Sequence, residues 1–380
     1  SATSTTAPDH VPTKKTGDLP RSPVIILHEK PIMFVFRYLH TPIYPSCENP
    51  LILSTGVVKF VILSTYMSSL FPYNVPFCET EDELNIVKEQ FKEHQLDEYF
   101  LVSAAIKERK DFFDNLFKTY EPYADNGFLK DAQIQFHQRS WEMYLGAILL
   151  RNNKRLLQPT KHDNKIGTAD IRISSKKVIH IECVATNHGD KNDKVPKLIP
   201  DPITNIVLRD VPSEKILIRI ANSLDKKFKQ YEDRLKKGVV KDDEPYVIAI
   251  SVGKLDYLEE FPRVIQATLA VGHLQLKMYE NGIRLDKPIP SRQFRPTVFK
   301  ENGQPVDMQF FLRPEHCGIS AIIFTNDLVL NYQEQEKELF ILHNHLAKNP
   351  ISLSEFNFLV QYHKDTLSDE LLTTNPNLTP

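Results

Sequence analysis

The stretch that decides the fold prediction consists of two neighbouring apolar segments, TADIRI (residues 168–173) and KVIHIECVA (residues 177–185). Both are rich in β-branched and apolar residues, and the polar run SSKK between them has the composition of a turn. They therefore predict two adjacent strands. Each strand carries one carboxylate, Asp170 in the first and Glu182 in the second. An acid in an apolar strand is costly to bury unless something compensates its charge, so this pair indicates a bound cation or a buried ion pair.

A third carboxylate precedes the two strands. Glu142 lies in QRSWEMYL (residues 138–145), within a segment whose apolar residues recur at helical spacing from 131 to 151. When several acids converge, a divalent cation is the usual compensation, because oxygen ligands suit Mg²⁺. The sequence thus predicts a site for Mg²⁺ or Mn²⁺ with three carboxylate ligands, Asp170, Glu182 and Glu142.

The segments around these acids predict one α/β domain over residues 131–360, with a mixed central sheet flanked by helices. A helix is expected from Ser213 to Lys237, because Gly238 follows as a helix-ending residue. The apolar run at 246–252 is typical of a strand that is covered on both faces. A short strand at 155–158, a polar loop at 187–211, a helix at 261–271 and strands at 319–324 and 339–343 complete the prediction.

The remaining segments differ in composition. Residues 1–22 are rich in Ser, Thr, Pro and Lys and are expected to be a disordered tail. Residues 23–130 predict an accessory region, short strands first and then two or three helices, so that it is mostly helical. Thr80 and Glu83 have the spacing of a capping box at the first of these helices. Residues 361–380 are expected to be a polar tail.

Global composition narrows the classes of protein only slightly. The chain has 380 residues, 41% of them hydrophobic, and a net charge of −2, so nothing global indicates a nucleic-acid partner, although a local basic patch is compatible with this charge. Its four cysteines form no CxxC pair, which argues against a zinc cluster or a disulfide framework and fits a reducing compartment. We expect a soluble, cytoplasmic protein without a membrane span.

The order of elements and several short motifs resemble the PD-(D/E)xK nuclease-like superfamily, and most closely a group of uncharacterised bacterial proteins with that restriction-endonuclease-like fold. The similarity covers about residues 131–355. The matching stretches are FHQRSWEMYL (136–145), ADI (169–171), IECVAT (181–186), RIANSL (219–224), PYVIAI (245–250) and HNHLAKNP (343–350).

The resemblance implies a metal-dependent nuclease in which Asp170 and Glu182 bind Mg²⁺ or Mn²⁺ and Glu142 positions a second ion or its water. The family's lysine, two residues after the second acid, is replaced here by Val184. Some members take the missing cation from the following helix, so the resemblance implies Arg219 or Lys226 in that role. With the three acids, these two cations complete the predicted catalytic set.

Two functional hypotheses from different classes remain open. The first is an enzyme, a phosphodiesterase that cleaves DNA or RNA with the aid of a metal ion. The second is a catalytically inactive nuclease-like fold that serves as a protein- or nucleic-acid-binding module. Val184 and the ordinary net charge favour the second, whereas three acids in an apolar neighbourhood favour the first. In the second case each acid would be paired with an arginine or lysine.

Overall fold

The computed structural model describes residues 69–160, 167–189, 193–197, 211–255, 261–280, 283–328, 339–365 and 370–376. The tail predicted at 1–22 and the short strands predicted between 23 and 68 lie outside these residues. None of the described helices is long and apolar enough to span a lipid bilayer.

Helices dominate the first part of the described chain. Its five α-helices are α1 (Glu81–Gln90), α2 (Glu98–Ala105), α3 (Lys107–Tyr120), α4 (Phe128–Ile134) and α5 (Phe136–Arg151). The predicted capping box begins α1, because the Thr80 side chain accepts from the Glu83 N–H while the Glu83 side chain accepts from the Thr80 N–H. Helices α1, α2 and α3 lie between 81 and 120, where two or three helices were expected.

A mixed seven-stranded sheet forms the centre of the molecule, with strand order β1-β2-β3-β8-β9-β10-β11. Strand β2 pairs antiparallel with β1 and parallel with β3, and β3 is parallel to β8. The strands are β1 (Ile171–Ser174), β2 (Val178–Ala185), β3 (Tyr246–Ser251), β8 (Ala321–Thr325), β9 (Phe340–His343), β10 (Val360–Lys364) and β11 (Leu371–Thr374).

Among the described residues, two further helices and two hairpins lie between the strands of the sheet. Helix α6 (Ser213–Lys236) connects β2 to β3, as a parallel pair of strands requires, and it ends at Gly238 with φ +70°. Helix α7 (Arg263–Leu269) follows β3. The hairpins are β4 (Val271–Glu280) with β5 (Ile283–Phe294), and β6 (Thr297–Phe299) with β7 (Pro305–Asp307).

Buried side chains on the two faces of the sheet form two separate hydrophobic clusters. In β3, Val247 and Ala249 belong to the cluster that includes the buried residues of α1 to α5. Ile248 and Ile250 belong to the cluster beneath α6 and α7. Because successive residues of a strand point to opposite faces, the sheet is covered on both sides, as the continuous apolar run predicted.

Several predicted segments differ from the structure. Asp170, expected within the first strand, precedes β1, which begins at Ile171. The helical segment expected over 131–151 is divided between α4 and α5 at Gln135. The strand expected at 155–158 contributes only a single bridge, between Leu156 and Ile173. The segment expected to be a polar tail from 361 contains most of β10 and all of β11, which extend the sheet by two strands. Strand β11 has one buried residue, Leu371, so its sequence lacks the alternation that would have indicated a strand.

Candidate functional site

Glu182 is neutralised by two cations from one helix. It points from β2 towards α6, where Lys227 Nζ donates to Glu182 Oε1 over 2.8 Å and Arg234 donates to Oε2. Its side chain is buried, and the Tyr246 hydroxyl also lies 3.5 Å from Oε2. Lys227 and Arg234 are seven residues apart, two helical turns, so they share the face of α6 that covers Glu182.

Asp170 occupies the open edge of β2, where β1 no longer pairs with it. The Cys183 N–H donates to Asp170 Oδ2 over 2.7 Å. Gln138 of α5 continues this edge, because its side-chain NH₂ donates to the Cys183 carbonyl over 3.1 Å while its oxygen accepts from the Ala185 N–H over 2.7 Å. Two side chains thus take the place of a neighbouring strand at this point.

Glu142 is buried in a polar cluster between α3, α4 and α5. Tyr120 Oη donates to Glu142 Oε1 over 2.9 Å, and Arg139 Nη1 donates to Oε2 over 2.8 Å. Arg139 also pairs with Asp131 over 2.5 Å and with Asp125 over 3.1 Å. Both carboxylate oxygens of Glu142 are therefore used within the protein.

The three acids do not form one cluster of ligands. Glu182 points to the face that α6 covers, whereas Glu142 belongs to α5, which packs on the opposite face with Cys183. Asp170 lies at the edge between them. Among the described residues, no three His, Cys, Asp or Glu side chains are grouped closely enough to hold a metal ion. The observed arrangement thus differs from the predicted three-carboxylate centre and does not fit a metal bound by all three acids.

Arg219 and Lys226, the two cations expected to reach Glu182, do not bind it; Lys227 and Arg234 do. Arg219 holds the loop after β2, since its Nε donates to the Asn187 carbonyl over 3.1 Å and its Nη2 donates to Asn187 Oδ1 over 2.6 Å. Lys226 is exposed and forms no ion pair with a described acid. The prediction identified the correct helix but the wrong positions, because the face of α6 that meets the sheet is set by packing.

A cavity of about 440 Å³ lies beside Asp170, at the carboxyl ends of β2 and β3. Helices of the accessory region, the open edge of β2 and α6 all contribute to its wall. Its charged residues are four cations and two acids, namely Arg139, Lys226, Lys227, Lys254, Asp97 and Asp170. Val184 also lines this cavity, as does Lys227 of the facing helix.

Burial and neighbouring charges shift the pKa values of two residues that line the cavity, Asp170 and His137. Burial, together with the negative charges of Glu182 and Glu142, raises the pKa of Asp170 well above its ordinary value, and Lys227 opposes this shift. Burial and the nearby Lys254 lower the pKa of His137 to about 3. Near neutral pH His137 is therefore uncharged.

Several residues at the site were not expected from the sequence. Lys227 and Arg234 lie on a helix with many charges, where nothing distinguishes a cation that pairs with the sheet from one that faces solvent. Gln138 of α5 and Lys254 after β3 were missed as well, because only the packing of distant segments brings them to the site. Lys254 follows β3 and lies 4.5 Å above the Tyr99 ring, a contact between distant segments of the chain.

In comparisons with known proteins, no family model matches this sequence, and no curated protein or solved structure matches it either.

Proposed function

We propose that this protein binds the phosphate backbone of a nucleic acid in the cavity beside Asp170, as a nuclease-like fold in which two of the three acids are neutralised by the protein's own cations. The observation that carries the proposal is that Lys226 and Lys254 line the cavity while the other two cations of its wall, Arg139 and Lys227, neutralise the buried acids Glu142 and Glu182. A polyanion gains affinity from such a surface by releasing its counterions.

The available cations support a polyanionic ligand rather than a metal ion. Lys227 and Arg139 are engaged with Glu182 and Glu142, but Lys226 is exposed and forms no ion pair with a described acid. Burial raises the pKa of Asp97, and the positive charge of Lys254, which lies over the Tyr99 ring, partly offsets this shift, so the Lys254 ammonium is close to the cavity wall. A phosphate group can contact the Lys226 ammonium without breaking an ion pair between described residues.

A metal-dependent nuclease is the second candidate, and one observation favours it. Asp170 Oδ2 accepts from Cys183, whereas no hydrogen bond to Asp170 Oδ1 is formed by the residues described. For Asp170 and Glu182 to share an ion, Glu182 would have to release a cation that it now binds.

Nucleic-acid binding can be tested with fluorescently labelled single- and double-stranded DNA and RNA by anisotropy. We expect Lys226→Glu and Lys254→Glu each to weaken binding about tenfold and to reduce the salt dependence by about one phosphate contact. Lys229→Glu is the matched control, because Lys229 is exposed on the same helix but does not line the cavity. Equal losses in all three variants would refute the cavity as the binding site.

Cleavage of the same nucleic acids separates the two candidates. Wild-type protein is incubated with each substrate in Mg²⁺, Mn²⁺ or a chelator, alongside Asp170→Ala and Glu182→Ala. Metal-dependent cleavage that both substitutions abolish would establish the nuclease. Binding without cleavage in any metal would support the binding module. Cleavage that persists in both variants would place the chemistry outside these residues.

A further inference from the structure

We propose that the hairpin of β4 and β5 is a dimerisation arm, which joins two copies of this chain through the outer edges of their β4 strands. This inference goes beyond the proposed function and does not depend on it. Three features of the hairpin carry it: the hairpin projects from the molecule, it has an exposed apolar face, and its two edges differ in their capacity to pair.

The hairpin is attached to the rest of the described molecule at its base. There Val271 is buried at the start of β4, and Arg292 Cζ lies 4.0 Å from the centre of the Phe261 ring. Beyond this base, all seven residues from 273 to 279 are exposed. A two-stranded ribbon with both faces in water is marginally stable, so an arm of this length is expected to have a partner.

Three apolar side chains of β4 share one exposed face of the arm. Leu274, Leu276 and Met278 alternate along the strand and are 53%, 55% and 39% exposed. Pro290 of β5, which pairs with Leu276, adds to the same face. Grouped apolar residues on a surface indicate an interface with another protein, and these side chains lose contact with water when a further strand brings apolar neighbours beside them.

The two edges of the hairpin differ in what they offer a further strand. β5 contains Pro288 and Pro290, and proline protects a sheet edge because it has no N–H to donate. β4 contains no proline, and its outer edge forms no backbone hydrogen bond with any described residue. Of these two edges, that of β4 is therefore the one that can accept another strand.

A second copy of the chain fits this edge because β4 is complementary to itself. When two β4 strands pair antiparallel about a two-fold axis at Leu276, this residue meets its own counterpart and Leu274 meets the partner's Met278. Lys277, the only Lys, Arg, Asp or Glu of the exposed stretch, then lies opposite the partner's Gln275. An axis at Lys277 would place two lysines side by side, so charge favours the register centred on Leu276.

Pairing in this register produces a four-stranded sheet with six neighbouring apolar side chains on one face, three from each copy. Such a sheet is more stable than either ribbon alone. Each strand contributes only ten residues, so the interface is small. A weak dimer that dissociates on dilution is therefore expected.

Sedimentation equilibrium of the full chain at several concentrations measures this association. We expect the wild type to dimerise with a Kd between about 1 μM and about 1 mM. Leu276→Lys places two ammonium groups together at the axis, and we expect association to weaken by about tenfold or more. Leu353→Lys, the same change at a side chain that is 40% exposed on another element, is the matched control and should associate as the wild type does.

A cysteine at the axis gives a second readout. With oxidised glutathione as the oxidant, which is reduced as the two thiols form a disulfide, Leu276→Cys should yield a covalent dimer. Directly opposed residues of antiparallel strands have Cβ atoms about 4.5–5.5 Å apart, close to the separation within a disulfide. Leu353→Cys retains the same native cysteines and should show only the background of the wild type.

The outcomes decide for or against the arm. Weaker association in Leu276→Lys and a covalent dimer in Leu276→Cys, with both Leu353 controls unchanged and with wild-type circular dichroism in every variant, support it. A monomeric wild type at every concentration, association that Leu276→Lys does not weaken, or equal cross-linking of Leu276→Cys and Leu353→Cys overturns it. Since no nucleic acid enters these measurements, their failure leaves the proposed function in place.

Discussion

At the scale of single residues, Glu182 and its cations decide how the candidate site is interpreted. The carboxylate is 2% exposed and contacts Lys227 and Arg234, so the charge that the sequence leaves uncompensated on β2 is compensated from α6. A buried ion pair adds little net stability compared with apolar residues, but the loss of one partner is costly. The same contacts that remove Glu182 from a metal site therefore make it structurally important.

Lys227→Met should lower the free energy of unfolding by about 1–3 kcal/mol, because Glu182 then keeps only one of its two cations in a buried setting. The measurement is urea denaturation at neutral pH. Lys226→Met serves as the matched control, since this neighbouring side chain is exposed, and it should change stability by less than about 0.5 kcal/mol. Similar effects of the two substitutions would contradict the assigned pairing.

Glu142 provides a second prediction, on pH dependence. Burial raises its pKa from 4.5 to about 7, although Arg139 and Tyr120 act in the opposite direction. The folded protein therefore binds a proton more tightly than the unfolded chain. The stability due to this proton is fully present below pH 4.5 and is lost as the pH rises through about 7.

Glu142→Gln should remove this component. Between pH 4.5 and 7.5 we expect the wild type to lose roughly 2–3 kcal/mol more free energy of unfolding than the variant. Urea midpoints at several pH values provide the measurement. Asp170, whose pKa is also raised, contributes a slope of the same sign that remains in the variant. Parallel pH profiles for the two proteins would show that Glu142 is ionised throughout.

At the scale of elements, close packing of α5 against α3 holds Glu142 in place. Gly146 of α5 lies directly beneath the ring of Tyr120, the residue that donates to Glu142, and an added Cβ there would overlap the ring. Glycine is unfavourable within a helix, so its presence here reflects the space available rather than a local preference.

Gly146→Ala should therefore destabilise the protein by about 1–3 kcal/mol, even though alanine favours a helix by about 1 kcal/mol. Thermal unfolding measures the effect. Gly127→Ala is the control and should change stability little. The φ angle of Gly127 is negative, and an added Cβ would lie 3.5 Å from its nearest atom, which is an ordinary contact distance. Stabilisation by Gly146→Ala would mean that the two helices lie farther apart.

At the scale of the whole molecule, the accessory helices and the sheet share one hydrophobic core. A single cluster joins Leu70 and Phe100 of the N-terminal part to Trp141 of α5, Ile181 of β2 and Leu359 near β10. The buried side chains of residues 69–134 therefore pack in the same cluster as those of the sheet. The cavity depends on this union, because Asp97 lies in the accessory part and Lys254 in the α/β part.

We expect the protein to unfold in one transition for this reason. Trp141 is the only tryptophan, is fully buried and donates its indole N–H to the Ala249 carbonyl over 3.1 Å. Its fluorescence therefore reports the contact between α5 and β3, whereas far-ultraviolet circular dichroism reports the helices as a whole. Coincident midpoints in urea are expected. Separate midpoints would show that the helical part unfolds independently.

The sequence by itself determined the local structure. The apolar runs at β2 and β3, the capping box at α1 and the glycine after α6 predicted these elements because each depends on neighbouring residues. The sequence also indicated that Asp170 and Glu182 need compensation, since a buried acid is costly wherever it lies.

Only the tertiary structure decided what compensates the acids. Lys226 and Lys227 are adjacent in the sequence, yet one lines the cavity as an exposed cation and the other binds Glu182, because the rotation of α6 against the sheet is set by the packing of its buried face. Glu142 was predicted beside Asp170 and Glu182, but α5 covers the opposite face from α6. Such contacts between segments far apart in the chain follow from the packing of whole elements, which no local pattern encodes.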